Sequence, residues 1–158
     1  MPADIATERA VERLLARYVA SIDADRLEEW PSYFTPRCRY QIITSENYQQ
    51  GLPLGIFFAD SQAMLQDRVA ALREANIYEP QRYRHLVSST LILGAEDGLV
   101  MAQSNYMVAR IMHDGATLLF STGRYLDRVD FRGPEPLFAE KLVILDSRRI
   151  DTLLAIPL

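Results

Sequence analysis

The chain of 158 residues carries 17 basic and 21 acidic side chains, a formal charge of −4, and is 49% hydrophobic and 24% charged. That length supplies one core, so residues 1–158 are read as a single domain, and the negative balance offers no polycationic surface for nucleic acid or anionic lipid. A lone cysteine, Cys38, excludes an internal disulfide or a four-cysteine cluster, and no run of about twenty nearly uncharged apolar residues is present to span a membrane.

The opening MPADIATERAVERLLARYVA is broken by acidic residues and lacks the basic-then-apolar order of a secretory signal, which points to the cytoplasm. Between about Asp4 and Ile22, the residues Val11, Leu14, Leu15, Tyr18, Val19 and Ile22 recur at three and four, the spacing of one helix face laid on a sheet. Next, in DADRLEEWP, Asp25 stands three residues before Glu28 and predicts a capped short helix that Pro31 ends. Leu27, Trp30 and Phe34 would close one end of the core. CRYQIIT is rich in β-formers and gives a first strand, and the two glycines and proline of NYQQGLPLG mark a loop. A second long helix follows in DSQAMLQDRVAALREA, with Asp60 or Ser61 as its cap and Met64, Leu65, Arg68, Val69 and Leu72 along adjoining faces. IYEPQRY leads back to extended chain.

After Arg82 the pattern is mostly β. RHLVSSTLIL, LVMAQSNYMVARIM and TLLFSTGRYLDRVDF are separated by AEDG and HDGA, whose Asp-Gly pairs suit tight hairpin turns. PLFAEKLVILD and TLLAIPL add a fourth and a fifth strand. Two or three helices before such a meander predict an α+β domain, with the helices packed on one side of a curved, mainly antiparallel sheet. If both Asp-Gly pairs are two-residue turns, Ser89 lies opposite Tyr106, Tyr106 opposite Gly123 and His85 opposite Arg110. One face then carries His85, Val87, Ser89, Ser104, Tyr106, Val108, Ser121 and Tyr125; the other carries Leu86, Ile92, Met107, Ile111, Phe120 and Leu126. Both faces are substantially apolar, whereas a sheet with one wet face alternates cleanly, so another subunit is expected over part of the second face.

Few residues could carry chemistry. His85 could act as a general base oriented by Asp23 or Asp25, with Tyr18, Tyr40, Tyr106 or Tyr125 donating to a substrate oxygen; equally, it could fasten a strand through a backbone or carboxylate bond. His113 stands at a predicted hairpin tip, away from His85, so a shared two-histidine iron site is not expected. Cys38 has no evident basic partner, the strand serines 88, 89, 104 and 121 lack a nucleophile elbow, and GLPLG and FRGP lack the spacing of phosphate cradles. Arg124, Asp127 and Arg128, with Glu140 and Lys141, form an alternating-charge set that suits a solvated surface or a subunit contact. Arg124 and Arg128 share one face of the strand and Asp127 takes the other.

Four stretches carry a resemblance: WPSYFTPRCRYQI at 30–42, RYRHLVSSTLI at 82–92, STGRYLDRVDF at 121–131 and AEKLVILDSRRIDTLLAIPL at 139–158. With the opening helix before them, they resemble, in order and over nearly the whole chain, the small or beta subunit of Rieske non-heme iron aromatic-ring-hydroxylating oxygenases. The resemblance implies a cone-shaped fold, nuclear-transport-factor-two-like and ketosteroid-isomerase-like, with helices on a strongly curved sheet. It implies a structural, non-catalytic chain with no cofactor or metal of its own. The Rieske 2Fe-2S cluster and the mononuclear Fe(II) belong to the alpha subunit, where dioxygen enters an aromatic acid or hydrocarbon. Three beta subunits commonly sit beneath three alpha subunits, and a reductase, with or without a ferredoxin, acts through alpha. Arg84 and His85 look like the family's strand-anchoring residues, and Arg124, Asp127 and Arg128 like its late-strand structural or interface network. Two places depart from the common pattern: Ser89 stands where many relatives have asparagine, and FRGPEPLF replaces a glycine-rich turn and tryptophan. The compact length looks like the subunits of salicylate, anthranilate or terephthalate systems. A freestanding cone-fold isomerase or dehydratase using His85, Asp23 or Asp25, Tyr106 and Tyr125 is the competing reading, and a small-ligand-binding cone protein is a third.

Overall fold

The computed structural model describes residues 4–52, 55–75, 80–147 and 156–158. Helix α1 spans Ile5–Asp23 and starts where the Asp4 side chain accepts the Thr7 amide at 2.6 Å, satisfying one of the helix's unpaired donors. Its face Val11, Leu14, Leu15, Tyr18 and Ile22 is buried, as the three-and-four spacing predicts. A 3-10 turn follows over Leu27–Tyr33. The expected capping box does not form: Asp25 has a positive φ of 58°, and both Asp25 and Glu28 pair instead with Arg73 of a later helix. Pro31 lies inside this turn rather than ending it.

Strand β1 covers Phe34–Thr44, and the Thr44 side chain then accepts the Asn47 amide to start the short helix α2, Ser45–Gln49. A three-residue strand β2, Phe57–Ala59, follows; α2 and β2 both fall where a loop was expected or nothing was assigned. Helix α3 spans Gln62–Ala75, with Ser61 accepting the Met64 amide at 3.2 Å and Leu65, Val69 and Leu72 buried. The meander is β3 Gln81–Glu96, β4 Leu99–Met112, β5 Thr117–Asp130 and β6 Leu137–Leu145. Of the expected fifth segment, TLLAIPL, all but 156–158 lies outside the described residues.

One expectation is corrected. In place of a strongly curved, cone-shaped sheet, the described residues form an open, mixed sheet of six strands in the order β2-β1-β6-β5-β4-β3, in which four pairings are antiparallel and one is parallel. β1 runs parallel to β6, with Tyr40 opposite Lys141 and Ile42 opposite Val143. Curling a sheet closed requires its end strands to share a ladder, and here the ends are the three-residue β2 and the 16-residue β3, which do not pair. Helix α1 instead packs across β3, while α3 packs on β1 and the 3-10 turn, so one face is covered by helices and the sheet stays open. Hydrophobic alternation reports which face a residue occupies and carries no information on strand order.

Register is set by single-residue irregularities. Asp97 and Gly98, both at positive φ, make the two-residue β3–β4 turn. Beyond it β3 takes one extra residue between Ile92 and Gly94 and another between Ser88 and Leu91, so His85 pairs with Val108, not Arg110, and Val87 rather than Ser89 faces Tyr106. A shift of two leaves His85 and Val87 on their expected face, because the side-chain period is two, but Ile92 and Phe120, expected beside Leu86 and Met107 on the second face, pack against the core, and Ser89 is exposed at a bulge. At the next turn His113, Asp114 and Gly115 make a three-residue loop, with Gly115 at φ 90°, and a bulge near Phe120 then restores Tyr106 opposite Gly123.

Candidate functional site

The residues singled out by sequence separate into four places. At the first, α1 ends on β3. The His85 amide donates to Asp23 Oδ2 at 2.8 Å, and His85 Nδ1 lies 2.6 Å from Asp23 Oδ1. Among the described residues β3 is a sheet edge, so its outward amides need partners, and the last residue of α1 supplies one while holding the ring. The His85 side chain is 0% exposed and its Nε2 makes no hydrogen bond among the described residues. Asp25, two residues on, is turned to Arg73 at 3.0 Å instead.

The second place is the core. Asp127 and Lys141 sit on the inner face of β5 and β6 as cross-strand partners, with Lys141 Nζ at 3.1 and 3.3 Å from the two carboxylate oxygens. Nζ also lies 3.6 Å from the ring centroid of Tyr125, 4.4 Å from Phe138 and 4.6 Å from Tyr18, so the negative faces of three rings surround the ammonium. Burial outweighs the attraction of the pair on both sides: it brings Lys141 down to about 8 and pushes Asp127 above the usual carboxylate range. Lys141 as Asp127's core partner was missed by sequence reasoning, although it shares strand parity with Val143 and Leu145, both buried.

The third place is the outer face. Arg84 is exposed on β3. Arg124 donates to Gln103 at 3.3 Å and lies over the Tyr48 ring, and Arg128 pairs with Glu140 at 3.6 Å. Arg124, Asp127 and Arg128 therefore divide between the two faces as their alternation predicts. Leu86 and its cross-strand partner Met107 stand exposed on this face, and Leu91, Leu93, Leu118 and Leu119 are exposed on the same two hairpins. Leu118 pairs with Arg110 on the opposite face, and the other five large apolar side chains, in water on one face of three neighbouring strands, are more than scattered surface residues.

The fourth place is the interior beneath the helices. Tyr106 and Tyr125 stack at 4.8 Å with an interplanar angle of 12°, Tyr106 shares a hydrogen bond of 2.9 Å with Ser121, and the Tyr125 hydroxyl and Ser104 Oγ make none among the described residues. Burial raises Tyr18, Tyr40, Tyr106 and Tyr125 well above the ordinary phenol value, and the closeness of the Tyr40 hydroxyl to those of Tyr83 and Tyr106 adds to it. The Tyr18 hydroxyl donates to the Leu158 carbonyl oxygen at 2.7 Å and the Tyr83 hydroxyl to that of Ile156 at 3.5 Å. A cavity of about 490 Å³ lies at the sheet end, walled in part by Asp25, Arg73, Arg82, His113 and Ile156, and His85 is not in its wall. Among the described residues no three His, Cys, Asp or Glu side chains are grouped to hold a metal ion.

The sequence profile described as ring hydroxylating beta subunit matches residues 17–152. Beta subunit 1 of the terminal oxygenase component of terephthalate 1,2-dioxygenase from Comamonas sp. is 43% identical over 143 residues, 90% of this chain and 93% of that one. The small subunit of anthranilate 1,2-dioxygenase from Burkholderia cepacia is 42% identical over 156 residues, 98% of this chain and 96% of that one. A solved Novosphingobium aromaticivorans structure, given as the beta subunit of a candidate aromatic-ring-hydroxylating dioxygenase, superposes with a TM-score of 0.89 at 38% identity over 97% of both chains.

Proposed function

The chain belongs to the family of ring-hydroxylating beta subunits, and from that premise we propose that it is the assembly subunit of a three-plus-three oxygenase acting on an aromatic acid. As a beta subunit it partners a Rieske oxygenase alpha subunit in aromatic-ring dioxygenation. The Rieske 2Fe-2S cluster and the mononuclear Fe(II) are assigned to alpha, as is the site where the ring meets dioxygen. A reductase, with or without a ferredoxin, delivers electrons to alpha, and the cytoplasm is the compartment. The aromatic-acid substrate rests on the terephthalate and anthranilate enzymes to which the two curated relatives belong.

The observation that carries the assembly role is the outer sheet face with Leu86, Met107 and the exposed leucines beside them. Covering such a face removes apolar surface from water, the main favourable term in association. Arg84, Arg124 and Arg128 on the same side would fix registry through charged hydrogen bonds more than they would add affinity. The freestanding isomerase or dehydratase reading is set aside. The Asp23–His85 pair it needs is formed, yet Asp23 spends its two oxygens on the ring and on the strand amide, as a fastening does.

Co-expression with the large-subunit candidate from the same gene neighbourhood tests the proposal, with native mass and iron measured on one sample. We expect a mixed assembly of equal numbers of the two chains that carries iron only when the large chain is present. A stable monomer or dimer that never captures that chain would overturn it.

A further inference from the structure

The interior holds a short piece of the chain where a small molecule would fit. Ile156 and Leu158 are 6% and 1% exposed, inside the cluster formed by Tyr18, Trp30, Tyr40 and Tyr83. Their carbonyl oxygens accept from two tyrosine hydroxyls, the contacts an oxygen-bearing ligand would make. Ile156 is a wall on both sides. It borders the cavity of about 490 Å³ and also a residual pocket of about 10 Å³ lined by Trp30, Tyr40, Ile42, Phe57 and Arg68. Near them the fully buried Tyr125 hydroxyl, coupled electrostatically to Tyr40 and Tyr106, makes no hydrogen bond among the described residues.

We propose that this interior is a latent binding site for a small, neutral aromatic carbonyl compound, held shut by Ile156 and Leu158. The ligand oxygen takes the place of the Leu158 carbonyl on the Tyr18 hydroxyl, and its ring replaces the two aliphatic side chains among Trp30, Tyr40 and Phe57. Aromatic walls suit a flat ring. A neutral carbonyl suits the site because the groups that now hold the two main-chain carbonyls are neutral tyrosine hydroxyls, which donate to such an oxygen without a countercharge. The site is independent of assembly with alpha, and its failure leaves the subunit role untouched.

The test titrates acetophenone, and isopropylbenzene as the oxygen-free control, into the full chain, its Ile156→Ala/Leu158→Ala variant and that variant with Tyr18→Phe added, following tyrosine ring resonances by NMR. The opened variant should bind acetophenone about tenfold more tightly than the unaltered chain and than it binds isopropylbenzene, and Tyr18→Phe should erase that preference, about the worth of one hydrogen bond. Equal affinities in opened and unaltered chains, or a preference that survives Tyr18→Phe, would overturn the proposal. If the double variant does not fold, Ile156→Ala alone, at the residue that borders both cavities, decides by the same comparison.

Discussion

A lysine with 0% exposure is the least expected residue of this core, and its surroundings explain how it is tolerated. Asp127 supplies the countercharge, and Tyr125, Phe138 and Tyr18 turn their ring faces to the ammonium. A pair of this kind is a poor source of stability in itself, since both groups lose their hydration; removing one partner is worse, because the other stays buried and charged. Lys141→Met should therefore lower the unfolding free energy by about 3–5 kcal/mol in urea titration, whereas Lys141→Met/Asp127→Leu should recover most of that loss. A double variant as unstable as the single one would mean that packing against the three rings, rather than the orphaned carboxylate, sets the cost. The Asp23–His85 contact follows a different logic. Its partners come from the end of a helix and the edge of a sheet, 62 positions apart in sequence, so no local pattern announces it.

Among the elements, Gly123 shows how closely the strands of the late hairpins approach. A Cβ there would run into the Ile144 carbonyl oxygen and come within 2.8 Å of Tyr106 Cε1, the ring that lies across from it. Neither neighbour can retreat, one being backbone of β6 and the other stacked on Tyr125. Gly123→Ala should cost about 1–3 kcal/mol by overpacking, while Gly133→Ala, whose nearest new neighbour is 3.9 Å away, should leave the thermal midpoint unchanged. Equal midpoints for the two variants would remove the steric account. The same strands show what was legible in the sequence. The three-and-four spacing of α1 and the parity of Arg124, Asp127 and Arg128 placed residues on the correct face because such periodicities are local. The β3 register slipped by two because its bulges, one beside Ser89 at φ 57°, carry no sequence mark as plain as Asp97-Gly98. The parallel β1–β6 pairing joins segments about a hundred residues apart, which local propensity does not encode. Arg84 and His85 were found together on β3, but the partner of His85 followed only from the packing of α1.

For the molecule as a whole, buried hydroxyls and one buried ammonium set opposite trends on the alkaline side. Lys141 has a folded value near 8 against an ordinary 10.5, so the unfolded chain binds more protons between those limits and stability rises with pH across that window. Tyr18, Tyr40, Tyr106 and Tyr125 are displaced upward from 10.0 by burial. Their contribution is complete below pH 10 and is lost above it, since there the folded state holds protons that the unfolded chain releases. Four such groups outweigh one lysine that has almost finished titrating. The urea midpoint of the purified chain should accordingly climb from about pH 8 towards pH 10 and fall steeply beyond, with tyrosinate absorbance from these rings appearing only as the chain unfolds. In Lys141→Met the climb should vanish and the fall remain. A midpoint that declines smoothly from pH 8 in both proteins would mean that the ammonium is better hydrated than its enclosure by three aromatic rings allows, and that the interior opens to water before the tyrosines ionise.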